Sequence, residues 1–196
     1  MVGCRVYFVV DNTYAIKLIE ELVDFLKSIG VLSREVLHGI HRLALNSCDF
    51  RVEEVVRLAI RWHGYSCAVI LVDTEGRNPQ EVVENVVKEH VEPLGEYSRR
   101  VRVYPAHPCL ETWLCELLEA ESCSTGTCGD VVRAVETRLG RKYYKHELPT
   151  LTVRLLRERL GRNATSKQRR EPLPNSLSSF VRTIEEACYS SQTPVL

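Results

Sequence analysis

A chain of 196 residues with 44% hydrophobic and 27% charged residues can bury one full core, and one domain is the default expectation. Its longest apolar stretches, such as Cys67 to Val72, are far too short to span a bilayer. Zero formal net charge means that no global field advertises a nucleic-acid partner, and the first residues lack the basic and apolar regions of a signal peptide, so a cytoplasmic protein is expected.

Arg outnumbers Lys by 20 to 6, and Met occurs once. Few thermolabile residues point to a thermophile, although GC-rich coding gives the same Arg bias. The 8 cysteines form no C-x₂-C pair and match no standard zinc spacing. Cys4, Cys67 and Cys188 sit in apolar stretches and read as small buried hydrophobes. Cys123 and Cys128 bracket a Ser-Thr-Gly-Thr loop, where a local disulfide is sterically reasonable, although disulfides inside cells are rare outside hyperthermophiles.

In chain order, Cys4 to Val10 is a β-branched and aromatic run that stops at Asp11-Asn12. Ile16, Ile19, Val23 and Leu26 then recur at helical spacing from Tyr14 to Ile29, and Gly30 supplies the stop. Residues 31–50 are ambiguous. A helix starting at Ser33-Arg34-Glu35 fits, yet a strand near 35–43 fits better between two helices. A helix follows from Val52 to His63. Ser66 to Val72 is continuously apolar, the pattern of a central parallel strand buried on both faces, and it ends in Asp73-Thr74-Glu75-Gly76-Arg77. Pro79 opens a helix to about Val91. A short strand from Val101 to Tyr104 stops at Pro105, and Pro108 opens an amphipathic helix through Leu118. After a loop over Ser122–Gly129, a helix capped by Asp130 runs to Leu139. Further helices are expected at about Leu148–Leu160 and Leu177–Ala187, separated by a polar loop at 162–175 that carries Arg169 and Arg170.

The β-α-β-α-β-α-β order predicts an α/β fold: a mostly parallel sheet flanked by helices over 1–120, with a helical extension over 121–196 packed on the same domain. In such sheets function gathers beyond the carboxyl ends of the strands. Asp11 and Asp73, two of only 5 aspartates, fall there. Asp73 and Glu75 are two apart, so an extended backbone would aim both at one ion. Hard oxygen ligands with open water positions suit Mg²⁺ or Mn²⁺. Gly76 would let the chain turn, and Arg77 could hold an anion. The bland alternative is a solvated turn that caps the Pro79 helix.

This layout, an acidic turn after the first strand and D-x-D after a later hydrophobic one, resembles the Toprim domain of topoisomerases, bacterial primases and overcoming-lysogenisation-defect nucleases. More closely, 105–118 (PAHPCLETWLCELL) resembles the N-P-C-F-E-x-W-L-L segment of RloB-like proteins, compact Toprim-like proteins of which some are encoded beside restriction systems. Lys142-Tyr143-Tyr144-Lys145 is similar to their Y-K-K segment, and Asn175–Phe180 to a late S-F segment. The family's first strand ends F-V-E-G-x-T-E, whereas this chain places Val10 where the glutamate stands, with Asp11 one residue later. For Asp11 to substitute, the strand must end one residue early or bulge.

The resemblance implies a Mg²⁺- or Mn²⁺-dependent phosphodiester-processing protein, a nuclease on DNA or RNA. Asp73 and Glu75 would hold the metal, and Asp11 would serve as a third carboxylate or weak base. Arg77 and Lys145 would neutralise phosphate charge. The RloB-like group also implies a defence role with an ATPase partner. The alternative is a non-catalytic nucleic-acid-binding or assembly protein, which the missing glutamate favours. Three further groups have bland readings beside functional ones. Glu111 matches the family's acid or simply serves the start of its helix, and His107 contacts phosphate or is an incidental surface residue. Lys142, Lys145 and His146 with Tyr143 and Tyr144 grip a nucleic-acid backbone and stack a base, or form a solvated linker. Trp113 reads as core.

Overall fold

The computed structural model describes residues 3–45, 49–161 and 172–190; most of the expected polar loop, with Arg169 and Arg170, lies outside them. Four parallel strands, β1 (Arg5–Val10), β2 (Leu37–Ile40), β3 (Cys67–Asp73) and β4 (Val101–Ala106), form one sheet in the order β2-β1-β3-β4. The helices are α1 (Thr13–Ser28), α2 (Arg51–Arg61), α3 (Pro79–Val86), α4 (Glu111–Leu117), α5 (Cys128–Leu139), α6 (Leu148–Gly161) and α7 (Asn175–Ser190). The α/β expectation holds. None of the described helices is long and apolar enough to cross a membrane.

Alternation along the strands builds two cores. Val6, Phe8, Val10, Val69, Leu71 and Tyr104 face one layer with α1 and α4 to α7, while Val9, Ala68, Ile70, Val72 and Val101 face the other with α2 and α3. Burial on both faces is why β3 reads as an unbroken apolar run. On the first side Phe180 of α7 packs against Phe8, Tyr104 and Trp113, with ring centroids 5.0–6.0 Å apart. Trp113 is core, as expected, and its indole N–H donates to the Tyr104 hydroxyl at 3.3 Å.

Several boundaries differ from expectation for local reasons. β2 is shorter than 35–43 because only Leu37–Ile40 pair with β1. β4 runs through Pro105, which an edge strand tolerates because one side of its backbone has no strand to receive an N–H. The helix opened by Pro79 gives way after Val86 to a wide π turn over Val87–Val91 and a 3₁₀ winding to Arg100. α4 starts at Glu111, not Pro108, because residues 108–110 are spent on β3's end: the Pro108 carbonyl accepts from Glu75 N–H, and Leu110 N–H donates to Asp73. Nor is α4 amphipathic; all of it but Glu116 is buried, since α5, α6 and α7 enclose it. α5 starts at Cys128, capped by Thr127 in a reciprocal capping box with Asp130, so Asp130 is the third residue of the helix and not its cap.

The cysteines correct the sequence reading most. Cys123 does not pair with Cys128: Cys115 bonds Cys123 and Cys109 bonds Cys128. Residues 122–128 lie against α4 and the segment before it, so Cys123 meets Cys115 of α4 and Cys128 meets Cys109. Cys4 and Cys188 are buried, as expected, but bonded to each other, whereas Cys67 is a buried thiol. The Cys4–Cys188 bridge spans 184 residues, tying the C-terminal end of α7 to the start of β1. Closing so long a loop stabilises by about 5 kcal/mol in the chain-entropy model. Cys188→Ser is therefore expected to lower the denaturant midpoint markedly under non-reducing conditions. An unchanged midpoint contradicts the staple, and peptide mapping without reductant should recover Cys109–Cys128 and Cys115–Cys123.

Candidate functional site

β1 and β3 are neighbours in unbroken register from Val6↔Cys67 to Val10↔Leu71, so the residues that follow meet at one sheet edge without a bulge. Asp11 stands one step past β1, and Asp73 ends β3. The Asp11 carboxylate accepts from the Asp73 backbone N–H at 2.9 Å and from the Asn12 side-chain amide at 2.7 Å. The same amide lies 3.5 Å from the Asp73 carboxylate, whose other oxygen accepts from Leu110 N–H at 3.1 Å. Asn12 also caps α1 by accepting from Ala15 N–H, which fixes its side chain between the two acids. The donors are all neutral. Among the described residues no Lys, Arg or His pairs with either aspartate.

Glu75 reaches the site differently from the sequence argument. The extended backbone stops at Asp73, Thr74 turns inward, and Glu75 takes a left-handed φ of 54°. Its side chain is exposed, and its position comes from the turn, not from strand alternation. Gly76 completes that turn at φ 81°, where an added Cβ would come within 3.1 Å of the Gly126 carbonyl. The turn does not cap α3 through Asp73; Asn78 does so by accepting from Gln80 N–H. The solvated-cap alternative therefore does not describe Asp73.

Glu111 opens α4 and is 0% exposed. Its Oε1 has no hydrogen-bond partner, and the nearest cation, Lys145 Nζ, is 3.9 Å away. Lys145 also lies 3.4 Å from the Tyr14 hydroxyl and over that ring, so the structure brings Lys145 to the edge of the acidic group. It does not bring the rest of the basic segment with it. Lys142 lies over Tyr144, Tyr143 is buried and cannot stack a base, and only exposed Tyr144, stacked on His146, keeps an accessible ring. His107 turns inward, its Nδ1 2.7 Å from the Thr74 hydroxyl. Arg77 bonds the Thr74 carbonyl through Nε at 3.2 Å.

The sequence does not single out Asn12 or Tyr14, and it marks Tyr143 as a base-stacking ring although that ring is buried. Asn12 was visible as the residue between an acid and a helix start, a position that favours an amide cap. The two tyrosines could not be placed without knowing how 143–145 folds over α1.

Burial and mutual repulsion shape the titration. Asp73 is pushed up to about 8, by burial first and then by Asp11, Glu111 and Glu75. Asp11 is raised by burial, against its hydrogen bonds from Asp73 and Asn12. Glu111 is raised by burial, with Lys145 opposing, and Tyr14 is raised by burial and then by Glu111, Asp73 and Asp11. Lys145 stands against Glu111, while among the described residues no cation pairs with Asp11 or Asp73. Two hard carboxylates with water completing the shell fit Mg²⁺ or Mn²⁺, which commonly use only one or two protein carboxylates. Among the described residues, the groups of three whose donor atoms lie within 4.8 Å are different ones, Cys4–Cys67–Cys188 and Cys109–Glu111–Cys128.

Compared with known proteins, the chain matches no family model, no curated protein and no solved structure.

The raised Asp73 gives a signed pH dependence. An unfolded Asp titrates near 3.9 (about), so between roughly pH 4 and 8 the folded chain holds the extra proton, and this group's stabilising contribution is lost as pH rises through that window. In chelator, wild type should therefore lose stability relative to Asp73→Asn from about pH 4 to 8, read as denaturant midpoints. A difference that stays flat with pH contradicts this electrostatic account.

Proposed function

We propose that the protein is a Toprim-like, divalent-cation-dependent phosphodiester-processing protein, most simply a nuclease acting on DNA or RNA in the cytoplasm. The observation that carries this reading is the Asp11–Asp73 pair at the carboxyl edge of a parallel sheet, held among the described residues by neutral donors alone. A bound Mg²⁺ or Mn²⁺ would supply Lewis-acid polarisation of a phosphoryl oxygen and a more acidic water. Asp11 and Asp73 would hold the ion, with Glu75 contributing through its charge or through water. Asn12 fixes the orientation of both aspartates. Lys145, whose side chain is exposed, would meet phosphate charge, and Arg77 would do so from the turn. Any ATPase partner belongs to the same proposal and rests on the RloB-like resemblance.

A second reading, a non-catalytic nucleic-acid-binding or assembly protein, is favoured by one observation. Val10 stands where the family's glutamate would be, and its side chain is fully buried in the core beneath α1. No acid can take that position without unpacking the core, and so a general base is missing unless Asp11 serves.

The two readings separate in one assay. Both expect nucleic-acid binding that weakens with salt and weakens further in Lys145→Ala. The nuclease reading expects Mn²⁺-dependent cleavage that falls at least 100-fold (roughly) in Asp73→Ala while binding survives, as loss of a metal ligand does. Binding without metal-dependent turnover, across single- and double-stranded DNA and RNA, favours the second reading.

A further inference from the structure

At the opposite end of the sheet from the carboxylates, three sulfur atoms converge. Cys4 precedes β1, Cys67 opens β3, and Cys188 lies in the last turn of α7. All three are buried, at 7%, 0% and 9% exposure, and their sulfurs lie within 4.8 Å of one another. Cys4 and Cys188 are bonded, and the Cys67 thiol stands 3.8 Å from the Cys4 sulfur.

One use of a thiol beside a disulfide is exchange, but the shape of the group opposes it. In-line attack of Cys67 on Cys4 would put the Cys67 and Cys188 sulfurs about 6 Å apart, the sum of the approach distance and an S–S bond of about 2.05 Å. They are within 4.8 Å, so the three atoms form a triangle and not a line. Burial also raises the Cys67 thiol to about 12, with Arg100 and Arg102 opposing, which leaves little thiolate to attack.

A triangle of sulfurs suits a different task. With metal–sulfur bonds of about 2.3 Å, two thiolates on one ion lie roughly 3.8–4.0 Å apart, which the Cys4–Cys67 separation already meets. The Cys4–Cys188 contact must open, and cleaving the disulfide does that. Thiolates select soft ions. Zn²⁺ wants a fourth ligand, and among the described residues no His, Asp or Glu joins the group, while burial excludes water. A three-coordinate soft ion remains. Two arginines flank the site: Arg100 bonds the carbonyls of Tyr65 and Ser66 immediately before Cys67, and Arg102 bonds the Ser190 hydroxyl just beyond Cys188. They would offset the net charge of −2 (about) that three thiolates leave around one monovalent ion.

We propose that reducing the Cys4–Cys188 disulfide opens a buried three-thiol site, Cys4–Cys67–Cys188, that takes one Cu(I) ion. Cleavage of the S–S bond takes two electrons and two protons from a dithiol, which becomes a disulfide itself. Cu(I) then displaces the three thiol protons to solvent, and no further electron moves. The ion takes over the tethering of α7 to β1 and adds β3 to it.

The test uses the full chain, reduced anaerobically with a phosphine and titrated with Cu(I) against a chromophoric competitor, in wild type, Cys67→Ala and Cys67→Ser. Both variants keep the Cys4–Cys188 pair and the remaining cysteines, so only the difference reports the site. Wild type should hold one more tightly bound Cu(I) per chain than either variant, and Cu(I) should restore thermal stability lost on reduction in wild type alone. Equal copper stoichiometry overturns the proposal. So does loss of the helical circular dichroism signal on reduction before copper is added, because the fold itself must hold the three thiols together.

Discussion

Two carboxylates at the end of a buried sheet repel one another and lose hydration, and both effects disfavour their charged forms. In this chain that cost falls on Asp11 and Asp73, with Glu75 and the buried Glu111 adding to it. Much of the surrounding structure serves to hold them there. Asn12 lies between them, the Asp73 backbone N–H binds Asp11, and Leu110 N–H reaches Asp73 from the segment before α4. These donors orient the acids without neutralising them. Asp73, raised to about 8, keeps at neutral pH a proton that a bound cation would displace, and perturbed carboxylates at strand ends are a common signature of functional sites.

The rest of the fold makes this arrangement rigid. The sheet is buried on both faces, so β1 and β3 cannot slip without turning core residues outward. The loop from Ala106 to Leu110 crosses the end of β3 and is bonded to it through Thr74, Glu75 and Asp73. Disulfides then fix that loop from behind: Cys109 ties it to the start of α5, and Cys115 ties α4 to the 122–128 loop. Gly76 and Gly126 meet where that loop touches the turn after β3, and a Cβ on Gly76 would strain the contact. The acidic edge is thus held by strands on one side and by covalent links on the other.

The fold was legible because its signals are local. Periodicity marked the helices, the continuous apolar run marked β3 as central, and position at strand ends singled out Asp11 and Asp73. What escaped was set by tertiary contacts. The disulfide partners could not be read from spacing, since each bond joins two different segments: the loop before α4 to the start of α5, and α4 to the loop that follows it. Alternation placed Glu75 beside Asp73, yet a left-handed turn carries it there by another route. Tyr143 read as an exposed stacking ring because its neighbours are basic, but burial of 143 is decided by how the chain passes over α4 and α1. The motif marks Lys145, but its placement beside Glu111 and Tyr14 depends on that same path.

The claim on which this account rests is that Asp11 and Asp73 together hold a divalent cation. Titrating the chain with Mn²⁺, and following the free ion by electron paramagnetic resonance, tests it without assuming any substrate. One site is expected in wild type, at least tenfold (roughly) weaker in Asp73→Asn and in Asp11→Asn, because each change removes a charged oxygen ligand. Mn²⁺ binding that is absent from wild type, or undiminished in both variants, would contradict it.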